Sequence, residues 1–386
     1  MVPYFICFII SITSAVISEY FYERNNRFIY IAGGSISILT MSIFAGIRDL
    51  NIGTDLGVYG LNTFNSATQY STLSGYLSSS TINIYHIETG YAVLNYIISR
   101  FTHNANVFLF VLALIMYTLT YFSLIQFRKY SPVATSLFVY LMLFYGNSFS
   151  LLRQSFACTM VFLGIALFIN QHRIKGLLFL ILAPFFHSTG IIGILILIVW
   201  IWLIKIKENK IRKLTTFFIL VFIVITAFSN QIINFLLNHN LINNVYSAYM
   251  DGTLSNVNST EGTSIYNFYR LIFIFLFYLI WTKVKKNDIL LFLFSMVVFD
   301  FLFLFIKGSA GQTIGRLGLY FSWFITVGYF SPVKQLEDKR IRILLQYLLF
   351  VLLIIIFIHI TQKSAIGLGS GSQYYPYRSE ILHIGE

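Results

Sequence analysis

Residues 28–47 read FIYIAGGSISILTMSIFAGI, and residues 48–59 continue RDLNIGTDLGVY. The first segment is free of charge and long enough to carry a helix through about 30 Å of hydrocarbon. The second brings an Arg, two Asp and two Gly directly after it. An uninterrupted apolar run ending in a compact polar stretch is the mark of a membrane span with a site or anchor at its mouth. The same alternation recurs along the chain.

Composition agrees. The 386 residues are 57% hydrophobic and 10% charged, with a mean hydropathy of +0.77, a balance that fits an integral membrane protein and not a soluble domain. In lipid, only helices or closed barrels satisfy the backbone, and apolar runs of this length indicate helices. The fold class expected is therefore an all-α polytopic membrane protein forming one integral domain over residues 1–386. Spans are read near 3–22, 28–47, 104–126, 132–149, 151–170, 176–188, 190–204, 214–237, 265–282, 288–306, 315–332 and 342–360, about twelve in all, or 10–12 if 174–204 is re-entrant. The first is read as a mature span, since it has no basic leader and no small-x-small site after its apolar core.

The net charge of +12 is not the stripe of a nucleic-acid binder. It is scattered over short turns: Arg24 and Arg27, Arg128 and Lys129, Arg173 and Lys175, Lys205 to Lys213, Lys283 to Lys286, and Lys334 to Arg342. Such turns face the cytoplasm, which puts both termini and the long polar loops, about 48–103, 239–264 and the tail 361–386, on the outside. Cys7 and Cys158 lie in apolar runs with no ligand spacing. Residues 174–204 are too long for one crossing and short for two, and Pro184 and Gly190 break them. Two half-spans or a re-entrant hairpin fit, with His187 recessed at the break. Irregular backbone at that depth must be buried in protein or line a watery cavity.

In this orientation Arg153, His187, Arg270 and Arg316 all stand near the outer N-terminal ends of spans. An Arg is locally unfavourable beside a helix N-terminus, but an anion held between them reverses the sign. The stretch Gly308 to Gly315 before Arg316 offers backbone N–H donors, and Gln154 adjoins Arg153. The bland readings are definite. Arg153 and Arg316 can snorkel, Arg48 suits the C-terminal end of its own helix, and Lys307 serves as an interface anchor. His187 can simply be packed, Arg270 can pair with Asp300, and Asp55 can be a turn residue. Asp49, Asp55 and Glu88 are the outer carboxylates nearest the spans, and any one of them, or His187, can take a proton from a sugar hydroxyl. Tyr59, Tyr85, Tyr91, Tyr145 and Tyr320 suit sugar stacking or an aromatic belt. No nucleotide loop, His-Glu-x-x-His or Cys pair is present.

Ala45-Gly46-Ile47-Arg48-Asp49 with Ile52-Gly53-Thr54-Asp55 and Tyr59 resembles the opening motif of the EpsG/Wzy-type bacterial polysaccharide polymerases, of O-antigen and exopolysaccharide synthesis. Leu152-Arg153-Gln154-Ser155-Phe156-Ala157 is similar to that family's Arg-Gln motif, Phe186-His187-Ser188-Thr189 to its His motif, and Arg316 with Tyr320-Phe321 to its late Arg. The resemblance implies a multi-pass enzyme of the bacterial inner membrane with its site facing the periplasm. It implies a glycosyltransferase that joins oligosaccharide repeat units carried on undecaprenyl diphosphate, with neither cofactor nor metal. It also implies a flippase and a chain-length regulator as partners in the pathway. Arg48, Arg153, Gln154, Arg270, Arg316, Tyr59 and Tyr320 are the expected substrate-binding residues, and Asp55 and His187 the expected catalytic ones. A flippase for the same lipid-linked sugars, an O-antigen-type ligase and a membrane acyltransferase are the rival readings.

Overall fold

A computed structural model describes residues 1–206, 210–239, 268–303, 311–365 and 374–385. The predicted loop 239–264 beyond His239, Lys207, Lys307, the Gly308-Ser309-Ala310 part of the Gly-rich stretch, and residues 366–373 of the tail lie outside them. Among the described residues the secondary structure is helical apart from one isolated bridge between Ser379 and Ile384. Six helices are long and apolar enough to cross a membrane: Val2–Glu23, Arg27–Gly46, Ala105–Gln126, Leu152–Ile169, Ser188–Lys205 and Lys339–Lys363. The chain is a multi-pass membrane protein. Its outward side chains are those lipid accepts, such as Ile6, Ile9, Leu178, Ile198, Leu344 and Ile355.

The helix ends follow local chemistry. Asn26, Asn104 and Asn287 each accept a backbone N–H from the first turn of the helix they precede. Glu19 performs the same service at long range, accepting from Val133 N–H (2.5 Å) and Ala134 N–H (2.9 Å). The first two helices lie so close that a Cβ on Gly33 would fall 2.8 Å from Ser14 O. Small residues at such crossings let backbones approach where lipid supplies no hydrophobic drive.

The two ends of the bundle differ. At one, the basic turns tie to each other: Lys334 Nζ donates to Arg128 O (2.6 Å) and Lys283 Nζ to Gln335 O (2.8 Å). At the other, Tyr4 is the hub of an aromatic cluster with Phe8, Phe44, Tyr145, Phe149, Tyr374 and Tyr377. The tail returns there: Asp49 N–H donates to Arg378 O (3.0 Å), Ser379 Oγ to Ile47 O (2.6 Å) and Glu380 N–H to Asp49 Oδ1 (2.9 Å). The residues next to both termini thus share the end opposite the basic turns.

Several segments differ from expectation. Residues 48–103 are not an open loop: a π-helical turn Leu56–Gly60 and helices Leu61–Gln69, Leu73–Leu77, Ser80–Ile84 and Thr89–Ser99 form a cap. Thr72 and Ser79 are N-caps of two of these short helices, and Phe64 stacks on Phe108 of a spanning helix at 4.3 Å. Segment 132–149 breaks after the helix Val133–Leu143 and resumes as the turn Asn147–Ser150, and 315–332 is divided into Gly311–Ser322, Ile325–Gly328 and Ser331–Lys334. The 174–204 run breaks where Pro184 and Gly190 stand. Arg173–Leu182 is followed by short 3-10 turns at Ala183–Phe185 and Ser188–Ile191, with extended His187 between them (φ −158), and then by Ile192–Lys205.

With both native cysteines buried, cysteines introduced at exposed Ser74, Leu382 and Lys285 report sidedness. The expected outcome is that Ser74→Cys and Leu382→Cys react with an impermeant maleimide on intact cells, while Lys285→Cys reacts only after permeabilisation.

Candidate functional site

The site begins with a glycine. Gly53 has φ +105, and a Cβ there would meet Phe149 O at 2.1 Å. Only glycine combines that backbone with that approach. The turn Ile52-Gly53-Thr54-Asp55 therefore presses onto residues 149–152, with Thr54 N–H donating to Ser150 Oγ (3.4 Å). Asp55 also lies by the backbone N–H of Leu152, at the start of the Leu152–Ile169 helix, where partial positive charge suits a carboxylate. Tyr59, one turn on, donates its hydroxyl to Asp55 Oδ2 at 2.5 Å.

Arg153 follows Leu152. Its guanidinium lies over the Tyr59 ring, 4.2 Å from the centroid, and Nη1 donates to Glu88 Oε2 (2.6 Å) and His86 O (3.1 Å). The other oxygen of Glu88 accepts Ser188 N–H (3.1 Å), so one carboxylate joins the Arg-Gln helix to the broken His segment. Gln154 Nε2 donates to Arg316 O (2.7 Å). Thr189 Oγ1 lies 2.8 Å from His187 Nδ1 and 2.9 Å from Tyr320 OH. Five stretches far apart in sequence, near residues 53–59, 86–88, 152–154, 187–189 and 316–320, thus meet at one place.

The electrostatics have two sides. Burial raises the Asp55 carboxyl above the ordinary carboxylate value; the Tyr59 hydroxyl, the charges of Arg316 and Arg153, and Leu152 N–H pull the other way. A half-buried carboxylate tuned upward beside two guanidiniums can accept a proton, and the guanidiniums can hold an anion. Among the described residues, the buried polar atoms Arg153 Nε, Gln154 Oε1 and Ser188 Oγ have no hydrogen-bond partner, a cost of about 1–3 kcal/mol each unless water or a polar ligand meets them. Among the described residues no group of three or more His, Cys, Asp or Glu side chains is arranged to hold a metal ion.

Two expected site residues stand elsewhere. Arg48 is 2% exposed and closes the end of its own helix, donating to Ala45 O (2.5 Å) and Ile52 O (3.2 Å) over the face of Phe149. A cation at a helix C-terminus satisfies orphan carbonyls, so Arg48 shapes the turn that carries Asp55, while its Nη2 has no hydrogen-bond partner among the described residues. Arg270 makes the ion pair with Asp300 (2.6 Å). Asp300 also accepts from Ser322 Oγ (2.5 Å) and Tyr329 OH (3.4 Å), so the pair braces the helix that bears Arg316. Asp49 is spent on the tail. Tyr145 is interior and donates to Met41 O (2.8 Å), and Tyr85 accepts from Asn62 Nδ2 (2.9 Å). Thr189 is the member that sequence reasoning left without a role, and Glu88, weighed there as a proton acceptor, is instead the partner of Arg153 and Ser188. Thr189 stood within the His motif, whereas nothing local to Glu88 announces its partner.

A family model described as the EpsG family matches residues 31–379. Amylovoran biosynthesis protein AmsC of Erwinia amylovora is 28% identical over 157 residues, 40% of this chain and 40% of that protein's own length. No solved structure matches the chain.

Two substitutions test the scaffold. Gly53→Ala is expected to cost roughly 2 kcal/mol or more, and Arg270→Ala about 3 kcal/mol by leaving the Asp300 carboxylate buried and unpaired. Thermal unfolding of the detergent-purified variants measures both. Arg270→Leu with Asp300→Leu is expected to recover most of the second loss.

Proposed function

The chain belongs to the EpsG family, and from that membership we propose that it works in polysaccharide synthesis as a repeat-unit polymerase of the bacterial inner membrane. The name of the amylovoran relative supports the coarser half of this reading. The observation that carries the finer half is the convergence of Arg153, Arg316 and Asp55 from three separate segments at the end of the bundle opposite the basic turns. If those turns are cytoplasmic, the cluster faces outward, where a lipid-linked sugar diphosphate would present its head.

In this proposal Arg153 and Arg316 hold the diphosphate of the donor, whose glycan is already elongated. The hydroxyl oxygen of the next lipid-linked repeat unit attacks the donor's anomeric carbon. The new C–O bond forms as the bond from that carbon to the diphosphate oxygen breaks. The hydroxyl proton passes to Asp55, and the electron pair leaves with the undecaprenyl diphosphate, whose growing charge the two guanidiniums stabilise. Tyr59 orients Asp55 and supports Arg153 through its ring. Glu88 neutralises Arg153 before substrate arrives, and an entering diphosphate competes with it for the guanidinium.

Deleting the gene in its host and running lipid-linked and surface glycan on a gel tests the class. Collapse of the long ladder to a single attached repeat unit is the expected result. Repeat units trapped on the cytoplasmic leaflet would assign a flippase, and long chains left on the carrier lipid a ligase.

The mechanism makes a sharper prediction for purified enzyme in nanodiscs with a lipid-linked repeat unit. Arg153→Ala is expected to lower polymerisation by about 100-fold or more while the protein still inserts. The acid limb of the rate profile reports protonation of Asp55. It is expected above the ordinary carboxylate value of about 3.9, with activity falling as pH drops through it. Tyr59→Phe removes a donor that favours the charged form, so the limb moves to higher pH. A limb that stays in place in Tyr59→Phe removes Asp55 as the base.

A further inference from the structure

His187 sits where the 174–204 run breaks, extended at φ −158, and its ring caps the Ser188–Ile191 turn. The capping bond runs from Thr189 N–H to His187 Nδ1 at 3.3 Å. A backbone N–H can only donate, so Nδ1 must be an unprotonated acceptor. That fixes the rest of the chain of contacts. Thr189 Oγ1, 2.8 Å from the same nitrogen, must point its proton at Nδ1. Its lone pairs then receive the Tyr320 hydroxyl at 2.9 Å. The direction of donation is Tyr320 OH to Thr189 Oγ1 to His187 Nδ1. The ring proton is left on Nε2, on the side turned away from the cap.

From this geometry we infer that His187 acts as a neutral hydrogen-bond donor through Nε2–H to an oxygen of the bound substrate, and not as the base that takes the acceptor's proton. Thr189 and Tyr320 are the positioning residues that hold it so. The inference rests on the polymerase reading only for the identity of the oxygen; the state of the ring does not depend on it. The surroundings act in the same sense. Arg153 and Arg316 are close enough for their charges to bear on the ring. Glu88 is engaged with Arg153 and Ser188 N–H, and Tyr320 is committed to Thr189. A proton arriving on Nδ1 would set N–H against N–H and break the cap. Phe186, stacked on Phe156 at 4.6 Å, anchors the neighbouring backbone. Of Asp55 and His187, the two expected catalytic residues, this assigns proton transfer to Asp55 and gives His187 the other half of the work: a neutral N–H donor, of the kind that stabilises an oxygen gaining charge.

The test separates the ring from the reaction. Full-length protein labelled with ¹⁵N in its histidines, in nanodiscs, distinguishes a protonated from a bare imidazole nitrogen, with the His187 signals assigned by their loss in His187→Gln. Between about pH 6 and 8 the expected result is a bare Nδ1 and a protonated Nε2. A proton on Nδ1, or an imidazolium, overturns the inference whatever the enzyme's activity. In Thr189→Val the Nδ1 resonance is expected to move as it loses one of two donors, and an unchanged resonance removes the relay. For activity, the Gln amide N–H can stand in for Nε2–H but cannot act as a base. His187→Gln is therefore expected within about tenfold of wild type, against a loss of roughly 100-fold for His187→Ala. Equal loss in both returns His187 to the role of base. Wild-type enzyme that forms no polymer defeats the polymerase reading and leaves the ring assignment standing on the spectra.

Discussion

The contact of Gly53 with the carbonyl of Phe149 organises everything around it. At 2.1 Å from a hypothetical Cβ, it lets one turn of backbone lie directly against another. The carboxylate two residues later can then reach the N-terminus of the Leu152–Ile169 helix. With Asp55 beside Leu152 N–H, Tyr59 lies one turn away for both the carboxylate and the Arg153 face. Moving the turn outward by the width of a methyl group would break the Thr54 to Ser150 bond and separate carboxylate from cation. Arg48 serves the same contact from behind, tying Ala45 O to Ile52 O and lying on the ring of the very Phe149 whose carbonyl meets Gly53.

Around this contact the protein solves a problem particular to membranes. Charges and irregular backbone are needed at the mouth of the bundle, yet each costs energy unless partnered. The cluster is close to neutral by its own members: Asp55 and Glu88 against Arg153 and Arg316. The second ion pair, Arg270 with Asp300, is buried beneath it and fastened to the Gly311–Ser322 helix through Ser322. On the opposite flank the tail seals the mouth with Tyr374 and Tyr377 against Tyr4 and Phe44, Phe44 and Tyr377 stacking at 3.9 Å. The site is thus framed by an aromatic cluster and an ion pair.

How much of this could be read from the sequence varied by kind of residue. Arg153, Gln154, His187, Arg316, Tyr59, Tyr320 and Asp55 were singled out from position and motif, and they do lie together. Arg48 and Arg270 were singled out on the same grounds and do not join them. A charge at the mouth of a span looks identical whether it closes its own helix, pairs with an Asp on another, or waits for a ligand. Residues 48–103 read as a loop in sequence because short helices capped by Thr and Ser carry too few apolar residues to declare a period. Their burying faces become visible only when Phe64 meets Phe108 and Tyr76 meets Thr63.

The sequence by itself determined the all-helical membrane class, the ends of the longer helices and the placement of the basic turns, together with the break at Pro184 and Gly190. Each of these depends on hydropathy, charge or backbone freedom within some twenty residues, the span of one crossing. Only the tertiary structure decided which polar side chains are partners. Glu88 meets Arg153 across 65 residues and Gln154 meets the carbonyl of Arg316 across 162. The single bond that gives His187 its tautomer depends on how the chain re-enters after the break. Those pairings are set by packing between segments, and no local pattern of residue types encodes the distance between them.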